Sequence, residues 1–312
     1  MKCELCPRHC GADRTNKEVG ICGQTDVIKI ARAALHMWEE PCISGKSGSG
    51  TVFFSGCSLH CVFCQNDAIA NGTVGREISG ERLTEIFLEL QENGANNINL
   101  VTAGHFLPQV VLALKRAKRE GLTIPVVYNT GSYESVEALK MLEGLVDIYL
   151  PDLKYVDNTL SEKYSHAMDY FEVASKAIEE MVRQVGAPGF QKKGESKILS
   201  AETYNDTCDE ENVEILMKKG VIVRHLLLPG CVKDAKAVLA YLLNTYGNNI
   251  YISIMNQFTP LSNVKQYPEL NRKVTKEEYD AVVDYAISLG IENAFIQEGD
   301  VAKESFIPQF ES

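Results

Sequence analysis

The chain of 312 residues contains no long uncharged apolar run, and its first residues lack the apolar core of a signal peptide. Because a bilayer-spanning helix needs about 20 mainly apolar residues, we expect no membrane segment. The chain also lacks a basic excess: its net charge is −11, whereas nucleic-acid-binding surfaces are usually basic. We therefore expect a cytoplasmic protein that binds neither membranes nor nucleic acid.

Tryptophan is nearly absent, with one residue, but the chain has ten cysteines. Without a secretory signal these cysteines are expected in a reducing compartment, where disulfide frameworks are rare. Cysteines in such proteins serve more often as metal ligands or in catalysis. Two groups of them, within residues 3–22 and 57–64, are therefore candidate functional sites.

Cys57, Cys61 and Cys64 follow the apolar run at residues 51–54 with the spacing C-x3-C-x2-C. Three thiolates on one loop can each bind one iron of a [4Fe–4S] cluster, and they leave the fourth iron open to another ligand. Zinc, with His60 as a fourth ligand, is the alternative, although structural zinc sites usually use two separated ligand pairs. An electron-transfer ferredoxin would need a fourth local cysteine.

The second group is Cys3, Cys6, Cys10 and Cys22, with the spacing C-x2-C-x3-C-x11-C. Neighbouring glycines and Pro7 favour turns around a metal rather than a helix or a strand. The set could hold zinc, as small structural knuckles do. It could also hold a second iron–sulfur cluster, for which a proline directly after a ligand cysteine is a familiar companion.

From residue 51 onward, apolar runs typical of strands alternate with segments of helical period. The runs cover residues 51–56, 97–104, 124–131, 147–154, 221–230 and 250–258. Near-continuous apolar strands separated by helices are typical of a parallel sheet. The pattern predicts an α/β domain over residues 51–312, preceded by a cysteine-rich, metal-binding segment over residues 1–50.

Residues 155–220 separate the fourth and fifth predicted strands by more than one crossover helix needs. We expect one long amphipathic helix over residues 161–186 and an exposed loop over 187–212. This insertion could be a lid, a docking surface or an element without a role in the site.

Ligands of parallel α/β folds bind at the carboxyl ends of the strands. The polar or aromatic residues at the predicted strand ends are Phe63, Thr102, Asn129, Thr130, Asp152, Lys154, Arg224 and Gln257. A charged pair such as Asp152 and Lys154 at the end of an apolar strand costs desolvation unless it is paired. A surface ion pair is the alternative interpretation.

Three other residues are expected to be structural. Cys42 stands alone before the first predicted strand of the α/β domain and is interpreted as a packed thiol. His225 lies within an apolar strand and is interpreted as a core histidine with satisfied hydrogen bonds. Cys208 lies in the insertion and is expected at the surface.

The cysteine loop resembles the signature of the radical S-adenosylmethionine (SAM) superfamily. Further motifs resemble a subgroup named after the pyruvate formate-lyase activating enzymes: Trp-Glu-Glu-Pro at residues 38–41, Gly-Ala-Asn-Asn-Ile-Asn-Leu at 94–100 and Tyr-Leu-Pro-Asp-Leu-Lys-Tyr at 149–155. The resemblance covers nearly the whole chain. It implies a partial (β/α)6 TIM-like barrel with an N-terminal extension and a helical insertion.

The resemblance also implies a [4Fe–4S] cluster on Cys57, Cys61 and Cys64 whose open iron chelates SAM. It implies one-electron reduction by a donor such as flavodoxin or ferredoxin, cleavage of SAM to a 5′-deoxyadenosyl radical, and hydrogen abstraction. The subgroup's name suggests a glycine of a partner enzyme as the substrate. A small molecule or a non-glycyl protein site is the first alternative. An iron–sulfur electron carrier without catalysis is the second.

For the strand ends, the resemblance implies that Phe63 offers an apolar face to adenine and that Lys154 pairs with the SAM carboxylate. Asp152, with Asn129 and Thr130, would fill a polar or cation-binding position nearby.

Arg224 matches the Arg-x4-Pro-Gly strand of the same enzymes, and a guanidinium suits a carboxylate or a ribose. Two positions depart from the family. Thr102 stands where a Gly-Gly-Glu-like turn contacts the SAM amino group, and the glutamate is missing. Gln257 replaces a common histidine.

Overall fold

The computed structural model describes residues 2–208 and 213–297, and this part of the chain contains one large sheet. The strands are β1 (Lys29–His36), β2 (Ser49–Phe54), β3 (Arg76–Glu77), β4 (Ile98–Val101), β5 (Val126–Thr130), β6 (Ile148–Pro151), β7 (Gly189–Lys192), β8 (Ile198–Leu199), β9 (Ile215–Leu226), β10 (Tyr251–Met255) and β11 (Ala294–Ile296).

The helices are α1 (Pro41–Ser44), α2 (Asp67–Ala70), α3 (Gly80–Glu92), α4 (Leu107–Glu120), α5 (Val136–Lys140), α6 (Asn158–Ser165), α7 (Tyr170–Val185), α8 (Ala201–Thr207), α9 (Val232–Tyr246) and α10 (Lys276–Ser288). None of these helices is long and apolar enough to cross a membrane.

The sheet follows the order β11-β10-β9-β6-β5-β4-β2-β1-β3. All neighbours from β2 to β11 pair in parallel, whereas β1 and β3 pair antiparallel at one edge. Within the described residues the two edges do not meet, so the sheet is open, as in a partial barrel. The predicted α/β fold with a parallel sheet is confirmed.

The parallel part of the sheet has one strand more than predicted. The additional strand, β11, pairs with β10 through Ala294, Phe295 and Ile296. Three residues are too few to show a strand pattern in sequence, because strand periodicity needs at least about four residues.

The strands are apolar because both of their faces are covered. Every residue of β2, β5 and β6 is buried. Helices α3 and α4 contribute side chains that are fully buried, among them Leu83, Phe87, Val110 and Leu114. Burial of each such side chain stabilises the fold by roughly 1.5–3 kcal/mol before entropy is counted. This packing brings the carboxyl ends of the parallel strands to one edge.

The N-terminal segment joins the sheet before residue 50. Strand β1 has eight residues and pairs antiparallel with β2 from Ile30↔Phe54 to His36↔Ser49. Residues 3–22, which carry the four N-terminal cysteines, precede β1 and contain a short 3-10 turn at Arg14–Asn16.

The insertion differs from its prediction in two places. The expected single helix is broken into α6 and α7, because His166 adopts a left-handed conformation with φ 53° and caps α6. The expected exposed loop contains the hairpin β7–β8 and helix α8; its residues 209–212 lie outside the described chain. Phe190 of β7 stacks on Tyr204 of α8, with ring centroids 4.0 Å apart. Single aromatic residues in a polar stretch of sequence give no pattern from which this packing could be predicted.

Thr275 begins helix α10 with a reciprocal capping box. Its hydroxyl accepts a hydrogen bond from the Glu278 amide at 3.2 Å, and its own amide donates to the Glu278 carboxylate at 2.9 Å. We expect Thr275→Ala to lower the free energy of unfolding by about 1 kcal/mol, because an alanine leaves one helix amide unpaired. Anaerobic urea denaturation measures the loss. Lys273→Ala, at an exposed neighbouring position, is the control; an equal loss there would contradict the assignment.

Candidate active site

A cavity of about 830 Å³ opens at the carboxyl ends of the parallel strands. Its lining includes every strand-end and cysteine-loop residue that the sequence predicted, namely Cys57, Cys61, Cys64, Phe63, Thr102, Asn129, Thr130, Asp152, Lys154, Arg224 and Gln257. Cavities of this size hold small ligands and cofactors in many proteins. The fold therefore brings residues from six strand ends to one place.

The cysteine loop follows β2 and is shaped by two left-handed residues, Gly56 (φ 94°) and His60 (φ 51°). A side chain at Gly56 would lie 2.4 Å from the Cys22 carbonyl oxygen, so glycine is required there. The Cys64 amide donates to the Cys61 carbonyl at 3.0 Å and closes a tight turn. The loop thereby holds its three thiols next to the carboxyl end of β2.

Burial raises the pKa of the Cys61 and Cys64 thiols, and the neighbouring cysteines raise it further, while Lys154 opposes this effect. Ser165 donates a hydrogen bond to the Cys61 sulfur at 3.0 Å. The Cys61 and Cys64 thiols, which resist ionisation, become thiolates when cations bind them, as iron does in cysteine-ligated clusters. The donor set therefore fits a group that carries several positive ions.

In the described part of the chain, no three His, Cys, Asp or Glu side chains are arranged to hold one metal ion. A [4Fe–4S] cube does not need ligands that converge on one ion, because each cysteine binds a different iron.

Asp152, at the end of β6, holds two cations. Its carboxylate accepts from the Lys154 ammonium at 2.6 Å and from Arg224 Nε at 2.9 Å. Burial would raise the pKa of Asp152, but Arg224 and Lys154 outweigh this effect and lower it. The charged pair expected at this strand end is therefore a partly buried network of three charges.

Glu39 extends this network, and the sequence analysis did not identify it as a site residue. Arg224 Nη1 lies 3.6 Å from its carboxylate, and Asn99 donates to it at 3.0 Å. Arg224 also donates to the Asn129 side chain at 2.6 Å. The signal was present in the Trp-Glu-Glu-Pro motif, but only the fold shows that this motif reaches the strand ends.

Glu134 is a second residue that the sequence analysis missed. Its Oε1 atom accepts from Tyr128 Oη at 3.0 Å and from Thr130 Oγ1 at 2.8 Å, and the residue lines the cavity. A side chain at Gly104 would lie 2.5 Å from Glu134 Oε2. Burial raises the pKa of Glu134, and the two hydroxyl donors oppose this effect. A carboxylate thus lies beside the turn after β4 that lacks its own glutamate.

The remaining predicted residues surround the cavity in different ways. Phe63 packs edge to face against Tyr155, with ring centroids 6.4 Å apart. Thr102 has a left-handed backbone with φ 57°, a conformation that non-glycine residues adopt mainly where the surrounding structure requires it. The Gln257 carbonyl accepts from Gln65 at 2.6 Å.

Lys154 and Asp152 are also held through the backbone by Tyr170, from helix α7 of the insertion. The Tyr170 hydroxyl shares its single proton between the carbonyls of Asp152 at 2.8 Å and Gly131 at 3.0 Å, and its oxygen accepts from the Lys154 amide at 3.0 Å. One hydroxyl therefore connects the ends of β5 and β6.

The four N-terminal cysteines do not line the cavity. They lie together on the far side of the cysteine loop, and Cys22 accepts a backbone hydrogen bond from the Cys57 amide at 3.1 Å. The two groups are separate sites in direct contact.

The three residues expected to be structural are placed as predicted. Cys42 is 1% exposed and packs in the core. His225 is buried and donates from Nδ1 to the Leu153 carbonyl at 2.8 Å; burial lowers its pKa to about 4, so the ring is neutral at pH 7. Cys208 is exposed.

The model of the radical SAM superfamily matches residues 51–190 of the chain. Residues 51–190 thus form a domain that is similar to the radical SAM superfamily. This domain contains the cysteine loop and the strand ends from β2 to β6, and it implies a [4Fe–4S] cluster and SAM as cofactors.

Two relatives share sequence with the chain beyond this domain. An uncharacterised protein of Methanocaldococcus jannaschii is 25% identical over 291 residues, which are 91% of this chain and 74% of that protein. A pyruvate formate-lyase-activating enzyme of Clostridium pasteurianum is 27% identical over 188 residues, which are 56% of this chain and 76% of that enzyme.

Solved structures show weaker likeness. A domain of a pyruvate-formate lyase-activating enzyme from Bacteroides vulgatus covers 62% of this chain and 91% of that domain, with 14% identity and a TM-score of 0.38. SuiB of Streptococcus suis, solved with S-adenosylmethionine, covers 79% of this chain with 12% identity and a TM-score of 0.45; the chain spans 49% of SuiB.

We expect Asp152→Asn to lower the free energy of unfolding by roughly 2–4 kcal/mol at pH 7, because it removes the carboxylate that pairs with Lys154 and leaves Arg224 with only the more distant Glu39. Since the pKa of Asp152 is lowered in the folded protein, its contribution is present above the unfolded carboxyl pKa of about 3.9 and is lost as the pH falls through the folded pKa. The difference between variant and wild type should therefore shrink in acid. Anaerobic urea denaturation at several pH values measures it.

The matched control is Glu89→Gln, which removes the carboxylate of an exposed ion pair with Arg82. That change should cost less than about 1 kcal/mol. Equal losses for Asp152→Asn and Glu89→Gln would show that the Asp152 network contributes no more than a surface pair.

Proposed function

We propose that the protein is a radical SAM enzyme that cleaves SAM reductively and abstracts a hydrogen atom from a partner protein. The observation that carries this proposal is that Cys57, Cys61 and Cys64 line one cavity with the charged strand ends, and that the cysteine loop lies in the part of the chain that matches the radical SAM model. An electron carrier would need the cysteines but not the charged strand ends, so the cavity favours an enzyme.

When bound, the [4Fe–4S] cluster with SAM on its open iron supplies one-electron cleavage of SAM and a 5′-deoxyadenosyl radical. The three cysteines would hold this cluster. Lys154 is suited to the SAM carboxylate, because its pKa is raised by Asp152 despite burial and its charge is therefore permanent. Phe63 offers an apolar ring for adenine, and Arg224, Asn129, Thr130, Thr102 and Gln257 complete the polar lining.

Glu134 would bind the SAM amino group. Two hydroxyl groups occupy its Oε1 atom, and the residue lines the cavity beside Gly104. A buried carboxylate with a raised pKa gains stability from a cation, because the cation compensates for lost solvation. Glu134 would therefore replace the glutamate that is missing after β4.

A glycine of a partner enzyme is the substrate that we propose. The rim of the cavity carries exposed apolar side chains, Met37 (43% exposed), Trp38 (64%) and Ile296 (39%). Exposed apolar residues around a site are typical of surfaces that another protein covers. The homologous activating enzyme of Clostridium pasteurianum supports the same substrate class. A flavodoxin or ferredoxin of the same cytoplasm would supply the electron.

The radical chemistry is tested by anaerobic reconstitution with iron and sulfide, reduction, and addition of SAM. We expect 5′-deoxyadenosine from the wild type and at least about a hundredfold less from Cys61→Ala, because the cluster loses one of its three ligands. Cys42→Ala is the control, since Cys42 is buried away from the cavity. A wild type with a complete cluster and no 5′-deoxyadenosine would refute the proposal. One cleavage per activated partner fits a glycyl target, and repeated turnover on a small molecule would favour that alternative.

The role of Glu134 is tested by Glu134→Gln. We expect the SAM dissociation constant to rise at least about tenfold, since a charge-assisted hydrogen bond is worth more than about 1.4 kcal/mol. Anaerobic calorimetry on the cluster-loaded protein measures it. Glu180→Gln, which changes another buried glutamate outside the cavity lining, should leave the constant unchanged. Unchanged affinity in Glu134→Gln would exclude this contact.

A further inference from the structure

The thiols of Cys3, Cys6, Cys10 and Cys22 form one group. The position of a side chain at Gly20 would lie 3.3 Å from the Cys22 sulfur and 3.4 Å from the Cys10 sulfur, so these two sulfurs approach the same point. Backbone hydrogen bonds from the Cys3 amide to the Ala12 carbonyl at 3.0 Å and from the Gly11 amide to the Cys3 carbonyl at 3.1 Å place Cys3 beside Cys10, and Cys6 lies on the connecting turn. The cysteines therefore lie close together although nineteen positions of sequence separate the first from the last.

A fixed cation accompanies this group. Arg14 is 7% exposed, and its guanidinium lies 3.9 Å from the Cys3 sulfur. Its other donors bind the carbonyls of Thr25 at 3.0 Å and His105 at 2.7 Å, which hold the guanidinium in place. A buried positive charge beside four thiols offsets the negative charge of a thiolate-ligated metal group.

The group lies directly behind the cysteine loop of the cavity. The Cys57 amide donates to the Cys22 carbonyl at 3.1 Å, and His60 Nε2 donates to the Ile21 carbonyl at 2.7 Å. From the other end of the segment, Arg8 donates to the Ser58 carbonyl at 2.8 Å. Two ligand residues, Cys22 and Cys57, are therefore joined by a single hydrogen bond.

We propose that Cys3, Cys6, Cys10 and Cys22 hold a second iron–sulfur cluster through which the electron for SAM cleavage enters. Direct contact with the cysteine loop, through the Cys57–Cys22 and Arg8–Ser58 hydrogen bonds, favours iron–sulfur over zinc. A structural zinc ion has no redox chemistry and would gain nothing from contact with the cavity's cysteine loop.

Each step of the proposed electron transfer moves one electron. A reduced donor of the flavodoxin or ferredoxin class loses one electron, which crosses from the N-terminal site to the cavity. The same electron is consumed when the bond between sulfur and C5′ of SAM breaks, giving methionine and the 5′-deoxyadenosyl radical. This entry role rests on the proposed function, whereas the metal site itself does not.

The site is tested by metal analysis of the anaerobically reconstituted full chain. We expect about eight irons per chain in the wild type and about four in Cys3→Ser/Cys10→Ser, because a cube holds four. A Cys57→Ala/Cys61→Ala/Cys64→Ala variant should also keep about four, which guards against a folding defect in the first variant. Cys42→Ser should keep all eight. One zinc ion that is lost with Cys3 and Cys10, or four irons in the wild type, would overturn the second cluster.

The entry role is tested on Cys3→Ser/Cys10→Ser with two reductants. We expect 5′-deoxyadenosine formation with reduced flavodoxin to fall at least tenfold, whereas formation with dithionite, a small reductant that reaches the cavity, stays within about twofold of wild type. An unchanged rate with flavodoxin would overturn the entry role. If the wild type forms no 5′-deoxyadenosine with either reductant, the proposed function and the entry role both fail. The iron count would still show whether the four N-terminal cysteines hold a second cluster.

Discussion

The ion pair between Asp152 and Arg224 joins the two halves of the sheet. Strands β6 and β9 pair at only two positions, Ile148↔Gly220 and Tyr149↔Val221, and the bridge Asp152↔Arg224 continues the seam toward the cavity. The whole insertion lies between these strands along the chain. The same two residues, Asp152 and Arg224, pair through the backbone, since the Leu153 amide donates to the Arg224 carbonyl at 2.9 Å, and Lys154 and Glu39 lie around their ion pair.

The strand-end rule predicted much of the site because it depends on fold class rather than on detailed packing. Once parallel strands were recognised, Asn129, Asp152 and Arg224 had to meet at one edge. The cysteine loop was equally accessible, since its three thiols are close in sequence. Both inferences use local order along the chain, which a sequence records directly.

Glu134 and Glu39 could not be found in that way. Glu134 follows β5 by four residues and returns to the cavity through a turn in which Ser132 has φ 64°. Glu39 precedes the first strand of the radical SAM domain and reaches the site because β1 pairs antiparallel beside β2. The position of Glu134 depends on a backbone turn, and the position of Glu39 depends on the antiparallel pairing of β1 with β2. Neither feature produces a periodic pattern in the sequence.

The helices and strands of the insertion were even harder to predict from the sequence. Its helix α6 ends at His166, a residue with no special helix-ending propensity, and its hairpin is stabilised by a few aromatic contacts. Residue propensities and hydrophobic periodicity predict long regular helices and strands. These short elements depend instead on tertiary contacts with β9.

The hydrogen bonds of the Tyr170 hydroxyl limit how far the insertion can change in length or sequence. A lid or an appended module can be lengthened, shortened or replaced while the site behind it persists. Helix α7 does not have this freedom, because one of its side chains spans the backbones of two strand ends that carry the charged residues. The insertion thus supports the edge of the sheet that carries the charged strand ends, and any chain that lost it would have to rebuild the geometry of Lys154 by other means.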